Sequence, residues 1–200
     1  MPKLSDAART VVEADQAVAE AALPHEESLP VRLLEHVADL GDQPPMRILC
    51  ASVIAVGLIG GDRRLMRAGV KMLVAHSFAT LAKDFVKLRV DRTRPRSTKK
   101  PGKDAKPRSG RNPAKEETSF PSGHSAGAMA VASAFAREYP NQAIPAYLAG
   151  SALALAQIPR CAHYPSDVGV GSAIGLVSGV ATDLVLGLAV PGLARTDDDA

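Results

Sequence analysis

Four stretches of this chain hold no charged residue: Ile48–Gly61, Ser125–Ala136, Ala143–Pro159 and Val168–Thr182. A fifth, Ala68–Ala82, carries only Lys71, and Leu184–Ala194 is apolar again after Asp183. Runs of this kind have to leave water, either into a protein core or into lipid. None alternates apolar with polar residues, so strands are not indicated. The spacing predicts five helices, at about 46–61, 64–91, 122–138, 142–158 and 166–189, and hence an all-α helical bundle. Glycine and other small residues recur in them, as in closely packed membrane helices. A charge-free run of 14 residues makes a helix about 21 Å long, against a hydrocarbon core of about 30 Å. Each run is marginal alone, but five in series make a multi-pass, membrane-embedded bundle the expectation. A mean hydropathy of +0.01 keeps a soluble alanine-rich bundle open, although the polar first quarter lowers that average.

Residues 1–45 are that polar quarter. Two short amphipathic helices are expected there. One runs over about 4–22, with Leu4, Ala8, Val11, Val12 and Val18 on one side; the other runs over about 29–41, opened by Ser28 and Pro30 and closed by Gly41. Charges interrupt every candidate apolar core, so nothing here resembles a secretory signal. Residues 46–194 then form one helical domain, followed by an acidic tail at 195–200. The two cysteines, Cys50 and Cys161, read as buried or free thiols rather than a disulfide. No Cys/His cluster of the metal-binding kind appears, and no cofactor is implied. Between the second and third apolar helices, residues 96–118 hold eight Lys/Arg against three acids, broken by Pro101, Gly102, Pro107, Gly110 and Pro113. This predicts a solvated basic loop that draws anionic head groups or phosphorylated substrates towards its neighbours; nucleic-acid binding is not expected.

Three short strings flank these helices: Lys87-x6-Arg94-Pro95, then Pro121-Ser122-Gly123-His124, then His163-x3-Asp167. The first supplies two cations. The second places a hydroxyl, a permissive backbone and an imidazole within four residues. The third sets a carboxylate one helical turn from an imidazole, a spacing at which the two can touch. Together they can hold a phosphoryl group and attack it in line without a metal. At average composition Pro-Ser-Gly-His arises by chance about once in a thousand chains of this length. Lys-x6-Arg-Pro arises in roughly a few per cent, and His-x3-Asp in about a fifth to a quarter. The order and the placement of the three beside apolar segments carry the argument.

The set resembles the type-2 phosphatidic acid phosphatase family, which also includes bacterial non-specific acid phosphatases and vanadate-dependent haloperoxidases. The resemblance covers about Lys87 to Asp167 and includes the Ser119-Phe120 lead-in to Pro121. Its third motif departs from the family: the usual Arg six residues before the histidine is Gln157 here, and Arg160 lies three residues before His163. On a helix, positions 157 and 160 would share a face, although Pro159 argues against a regular helix there.

The resemblance implies roles. His163 is the expected nucleophile, forming a phosphohistidine, and Asp167 accepts from its other ring nitrogen. His124 is the general acid. Lys87 and Arg94 clamp the phosphate, joined by Ser122 and the Gly123 N–H at a helix N-terminus and by Arg160 as the third cation. Each residue also has a plainer reading. His163 alone could be a core histidine, Ser122 an N-cap, and Lys87 and Arg94 a basic helix flank. Arg89, Arg92 and Arg96 are assigned to such a flank, and His25, His36, Lys71 and His76 receive no catalytic role.

The expected activity is hydrolysis of a lipid phosphate or isoprenoid pyrophosphate at the cell membrane. The alternatives are a soluble acid phosphatase of the same chemistry, a vanadate haloperoxidase (usually a much longer chain), and a membrane protein with a decayed site. Two expectations oppose each other on orientation. The family's site usually faces outside, whereas the basic loop and the positive-inside rule place the motif-bearing side in the cytoplasm.

Overall fold

The computed structural model describes residues 6–99 and 105–190, so the acidic tail lies outside the described residues. Seven α-helices appear among them: α1 (Asp6–Ala22), α2 (Leu29–Ala38), α3 (Gln43–Gly60), α4 (Arg63–Lys87), α5 (Gly123–Glu138), α6 (Ala143–Leu155) and α7 (Pro165–Ala189). The class is all-α, as the apolar runs predict. Helix ends follow local chemistry. Gly61, left-handed at φ 68°, closes α3, and the next residue, Asp62, opens α4 by accepting from the Leu65 N–H at 2.9 Å. Two expected helices stop early. α4 ends at Lys87 rather than about 91 because the chain turns into a two-residue strand, and α6 ends at Leu155 ahead of Pro159, which cannot continue a helix.

The core is built from small side chains. Ala75, Ala79, Ala126, Ala128, Ala130 and Ala134 pack with Cys50, Met46 and Met72. Glycines let α7 approach α5 closely. A Cβ on Gly175 would lie 2.4 Å from the Ala126 carbonyl oxygen, and one on Gly179 would lie 2.4 Å from Ser133 Oγ. Cys50 and Cys161 are both buried and unpaired.

Outside, the bundle is apolar. Ile59 is 89% exposed and Leu188 87%, with Ile48, Val56, Leu148 and Val177 also turned outward. Among the described residues two helices, Gln43–Gly60 and Pro165–Ala189, are long and apolar enough to cross a membrane, and only 17% and 22% of their apolar windows are buried. A core helix of a water-soluble protein would be mostly covered. Here the apolar surface faces out, as a hydrocarbon surround requires.

The basic loop is less open than its composition suggests. Val90–Asp91 (β1) pairs antiparallel with Arg108–Ser109 (β2), a strand pair that no alternation foretold. Arg92 N–H donates to Glu117 O at 2.7 Å, and Ser119 N–H donates to Arg92 O at 3.0 Å. Asp91 accepts from the Asn112 N–H at 2.9 Å. Backbone pairing, which composition does not encode, folds residues 105–118 back against the first motif.

Candidate active site

All three motifs lie at one end of the bundle, where α4 finishes and α5 and α7 begin. A cavity of about 270 Å³ there is lined by Lys83, Lys87, Arg94, His124, Arg160 and His163, with Gly123 and Gln157 in its wall. Of the expected residues, Asp167 and Ser122 do not line it.

Two turns aim His163. The Gln157 carbonyl accepts from both the Ala162 and His163 N–H groups, at 3.2 and 3.3 Å, and Cys161 between them is left-handed at φ 50°. The ring is 2% exposed. Its Nδ1 lies 2.7 Å from the Ser119 carbonyl oxygen. A carbonyl can only accept, so Nδ1 carries the proton of the neutral ring and Nε2 keeps a free lone pair. The ring contact expected from Asp167 is different in kind: Oδ2 stands 3.7 Å from Nδ1. That oxygen is already occupied, accepting from Ser119 Oγ at 2.5 Å and the Tyr164 N–H at 2.9 Å. Asp167 therefore supports the ring through charge, while the Ser119 carbonyl sets the tautomer. Burial, only partly offset by Asp167, pulls His163 down from 6.5 to about 4, so the ring is neutral near pH 7.

The cations are held by backbone rather than by acids. Lys87 Nζ donates to Thr118 O at 2.5 Å. Arg94 Nε donates to Lys115 O at 2.8 Å, and its Nη1 to Ala162 O at 3.3 Å. Burial and Arg96 lower Arg94 to about 10, which leaves it charged at neutral pH. The Arg94 charge thus remains for an anion in the cavity. Ser122 is buried and caps α5, its Oγ accepting from Ser125 N at 3.3 Å and from Ser125 Oγ at 2.8 Å. A Cβ on Gly123 would come within 3.2 Å of the Lys83 side chain, so a glycine keeps that wall open.

A sequence model of the PAP2 superfamily matches residues 65–187. The chain belongs to the PAP2 superfamily. The family expectation is thereby borne out, and with it that of a phosphatase. No curated protein matches the chain. Among solved structures it is similar to a transmembrane PAP2-type phosphatidylglycerolphosphate phosphatase from Bacillus subtilis. That likeness has a TM-score of 0.64 at 18% identity, over 92% of this chain and 89% of that one. It is also similar to LpxE from Aquifex aeolicus, with a TM-score of 0.56 at 19% identity over 83% and 92% of the two chains. At such identities the likeness speaks for the fold.

Around the motifs of this PAP2 chain, the expected residues meet three acids that sequence reasoning did not single out, Glu35, Asp39 and Asp42. Gln157, where the family's Arg is expected, is fully buried; its Nε2 donates to the Leu153 carbonyl at 3.3 Å and its Oε1 has no partner. Arg160 reaches the cavity from the turn after α6. Its Nη2 pairs with Glu35 at 3.1 Å and Asp39 at 3.0 Å, while Nε and Nη1 are buried without partners. His124 Nε2 stands 2.9 Å from Asp42 Oδ1. These acids come from the polar N-terminal quarter, which closes over the basic site like a rim. Arg94, Arg96, Lys115 and Arg160 also line an adjoining cavity of about 570 Å³, roofed by Glu26, Glu27 and Glu35 and lined by no histidine.

The largest surprise is Arg92. Read as an ordinary flank, it is 1% exposed and sits between Asp15 and Asp167, at 2.7 and 2.6 Å. One signal was available. Asp15 shares the buried face of α1 with Val12 and Ala19, and an acid on an apolar stripe calls for a partner.

Proposed function

We propose that the chain is a multi-pass membrane phosphatase that hydrolyses a lipid phosphate or isoprenoid (pyro)phosphate through a phosphohistidine. The observation that carries this reading is the shared cavity: His163, His124, Lys87 and Arg94 all line one space at one end of an apolar-faced bundle.

Lys87 and Arg94 hold the equatorial oxygens of the phosphoryl group, with the unpaired edge of Arg160 as a third donor. His163 Nε2, its lone pair freed by the Nδ1 hydrogen bond, attacks phosphorus; an N–P bond forms as the P–O bond to the leaving group breaks. His124 gives its proton to the leaving oxygen. The nearby Asp167 carboxylate offsets the positive charge that the His163 ring gains. A water then attacks the phosphohistidine, His124 takes its proton, the N–P bond breaks, and inorganic phosphate leaves. Every step uses side chains of this protein, so a metal is not required.

The outward-facing apolar surface supports five membrane-embedded helices, α3 to α7, and a substrate that arrives by way of the lipid phase. The similar structure of a phosphatidylglycerolphosphate phosphatase makes phosphorylated glycerolipids the first compounds to try.

The test is a phosphate-release screen of purified protein in detergent with EDTA, against phosphatidic acid, phosphatidylglycerol phosphate, undecaprenyl pyrophosphate and sphingoid phosphates. Metal-independent release from at least one is expected. Activity abolished by EDTA and restored by magnesium would contradict the mechanism, and no release from any would contradict the function.

A further inference from the structure

The N-terminal helix lies outside the matched family region, yet one of its side chains reaches the catalytic centre through a single intermediary. Asp15 is 2% exposed. Its Oδ2 pairs with Arg92 Nη2 at 2.7 Å, its Oδ1 accepts the Ser166 N–H at 2.9 Å, and the Ser166 hydroxyl also donates to it. Arg92 in turn donates from Nη1 to Asp167 Oδ1 at 2.6 Å and to Ser166 Oγ at 2.8 Å, and from Nε to the Ala105 carbonyl at 2.9 Å. Its guanidinium lies 4.0 Å over the Tyr164 ring. Tyr164 packs with Ala19 of α1 and Ala105, so the apolar contacts of α1 and its one buried charge point to the same place.

We propose that Asp15 is a positioning residue for catalysis, acting through Arg92 to hold the Asp167 carboxylate behind the His163 ring. The inference rests on His163 being the nucleophile. A guanidinium placed against Asp167 alone would draw off much of the negative charge that the His163 ring needs as it becomes cationic. A second carboxylate on the opposite nitrogen shares that pull. The row Asp15, Arg92, Asp167, His163 then alternates in sign when the phosphohistidine forms, and each member is fixed by at least two contacts. A buried Arg facing one acid would be costly to keep; facing two, with its remaining donors on carbonyl and hydroxyl oxygens, it is satisfied.

The alternation predicts opposite effects at its two inner links. The charged groups facing the His163 ring are Asp167 from α7, Lys87 from α4 and Arg94 from the segment after β1; across the cavity stand His124 with Asp42, and Arg160. Arg92→Gln removes a cation behind Asp167. The ring then takes a proton more readily, and the acid limb of kcat/KM moves up from near 4 towards 6.5. Asp15→Asn keeps an acceptor for the Ser166 N–H but removes an anion, so the limb moves down or stays.

The experiment measures kcat, KM and pH profiles of full-length protein in detergent on short-chain phosphatidic acid, for Asp15→Asn, Arg92→Gln, the double variant and His163→Asn. Arg92→Gln should lower kcat about 10- to 100-fold with KM changed less than about threefold, the scale on which outer-shell partners act. Asp15→Asn should lower kcat roughly 3- to 10-fold, and the double variant should be no worse than Arg92→Gln, because Asp15 works only through Arg92. If Arg92→Gln does not fold, the direction of the limb in Asp15→Asn together with its kcat decides. Additive losses, an unchanged kcat in Asp15→Asn, or a limb moving up in that variant would overturn the assignment. With His163→Asn inactive, such a result removes only the role of Asp15. An active His163→Asn removes the nucleophile reading, and this inference with it.

Discussion

Gly171 offers a sharp test of the helix geometry on which the site depends. It follows Asp167 by one turn, on the face of α7 that meets the start of α5. A Cβ there would lie 2.4 Å from the Ser122 carbonyl oxygen and 3.2 Å from Ser125 Cβ. An ordinary carbon–oxygen contact is about 3.3 Å, so the first turn of α5 would have to withdraw by about 0.9 Å. Ser122 precedes Gly123 and His124 directly, and its N–H donates to the Asp167 carbonyl at 3.0 Å. The withdrawal therefore moves His124, the proposed general acid, relative to His163, the proposed nucleophile. Misplacement by about 1 Å costs on the order of 100-fold in rate. Overpacking should also cost about 1–3 kcal/mol of stability. Gly169 is the control: it is exposed on the same helix, two residues away, with nothing within 4 Å of its would-be Cβ. By helix propensity alone either Gly→Ala change would stabilise by about 0.5–1 kcal/mol. Gly171→Ala should thus lower kcat about 100-fold and lower Tm, whereas Gly169→Ala keeps kcat and leaves Tm equal or slightly raised. Phosphate release and thermal melts on the two purified variants decide the matter. Equal kcat values for both would refute the claim that the α5–α7 approach sets the catalytic geometry.

Arg160→Ala should lower kcat/KM by about two orders of magnitude, the scale for one lost charge-stabilising donor, and Gln157→Ala by much less; the reverse order would make Gln157 the direct donor. The pH profile should show a neutral nucleophile. Since His163 titrates near 4 when folded and at 6.5 when unfolded, the unfolded chain binds the extra proton between those values. The stability associated with the neutral ring is full above 6.5 and is lost as pH falls from 6.5 to 4. Accordingly the acid limb of kcat/KM should lie near 4, and a limb at 6.5 would count against a buried neutral His163. At the far end of the bundle, buried Glu138 pairs with Arg67 at 2.8 Å and with Lys71, which also meets Asp183 at 2.7 Å. Glu138→Gln takes the shared counter-charge from both cations and should cost about 3–5 kcal/mol of stability, read as a lower Tm, with kcat of the folded protein preserved.

The helical class and the order of the apolar helices were legible in the residues because they follow from local rules. Charge-free runs of helical length, Gly61 and Asp62 at a turn, and Pro159 after α6 each act within a few positions along the chain. The chemical identity of the motif residues was legible for the same reason: a hydroxyl, two imidazoles, two cations and a carboxylate recur at set spacings beside helix ends. What surrounds them was not. The partner of the His163 ring is a backbone carbonyl 44 residues away, at Ser119, and no side-chain pattern encodes a carbonyl. Arg92 looked like one more basic residue in a basic stretch. Only folding brings Asp15, 77 residues earlier, and Asp167, 75 residues later, to opposite edges of its guanidinium. Likewise nothing along the chain marks the acids at 35, 39 and 42 until folding lays them over Arg160 and His124. Sequence settled which groups are present and which helices carry them, since those depend on neighbours in the chain. Tertiary structure decided which charges are shared, which face the cavity and which nitrogen of His163 is free, because electrostatics and hydrogen bonding act through space.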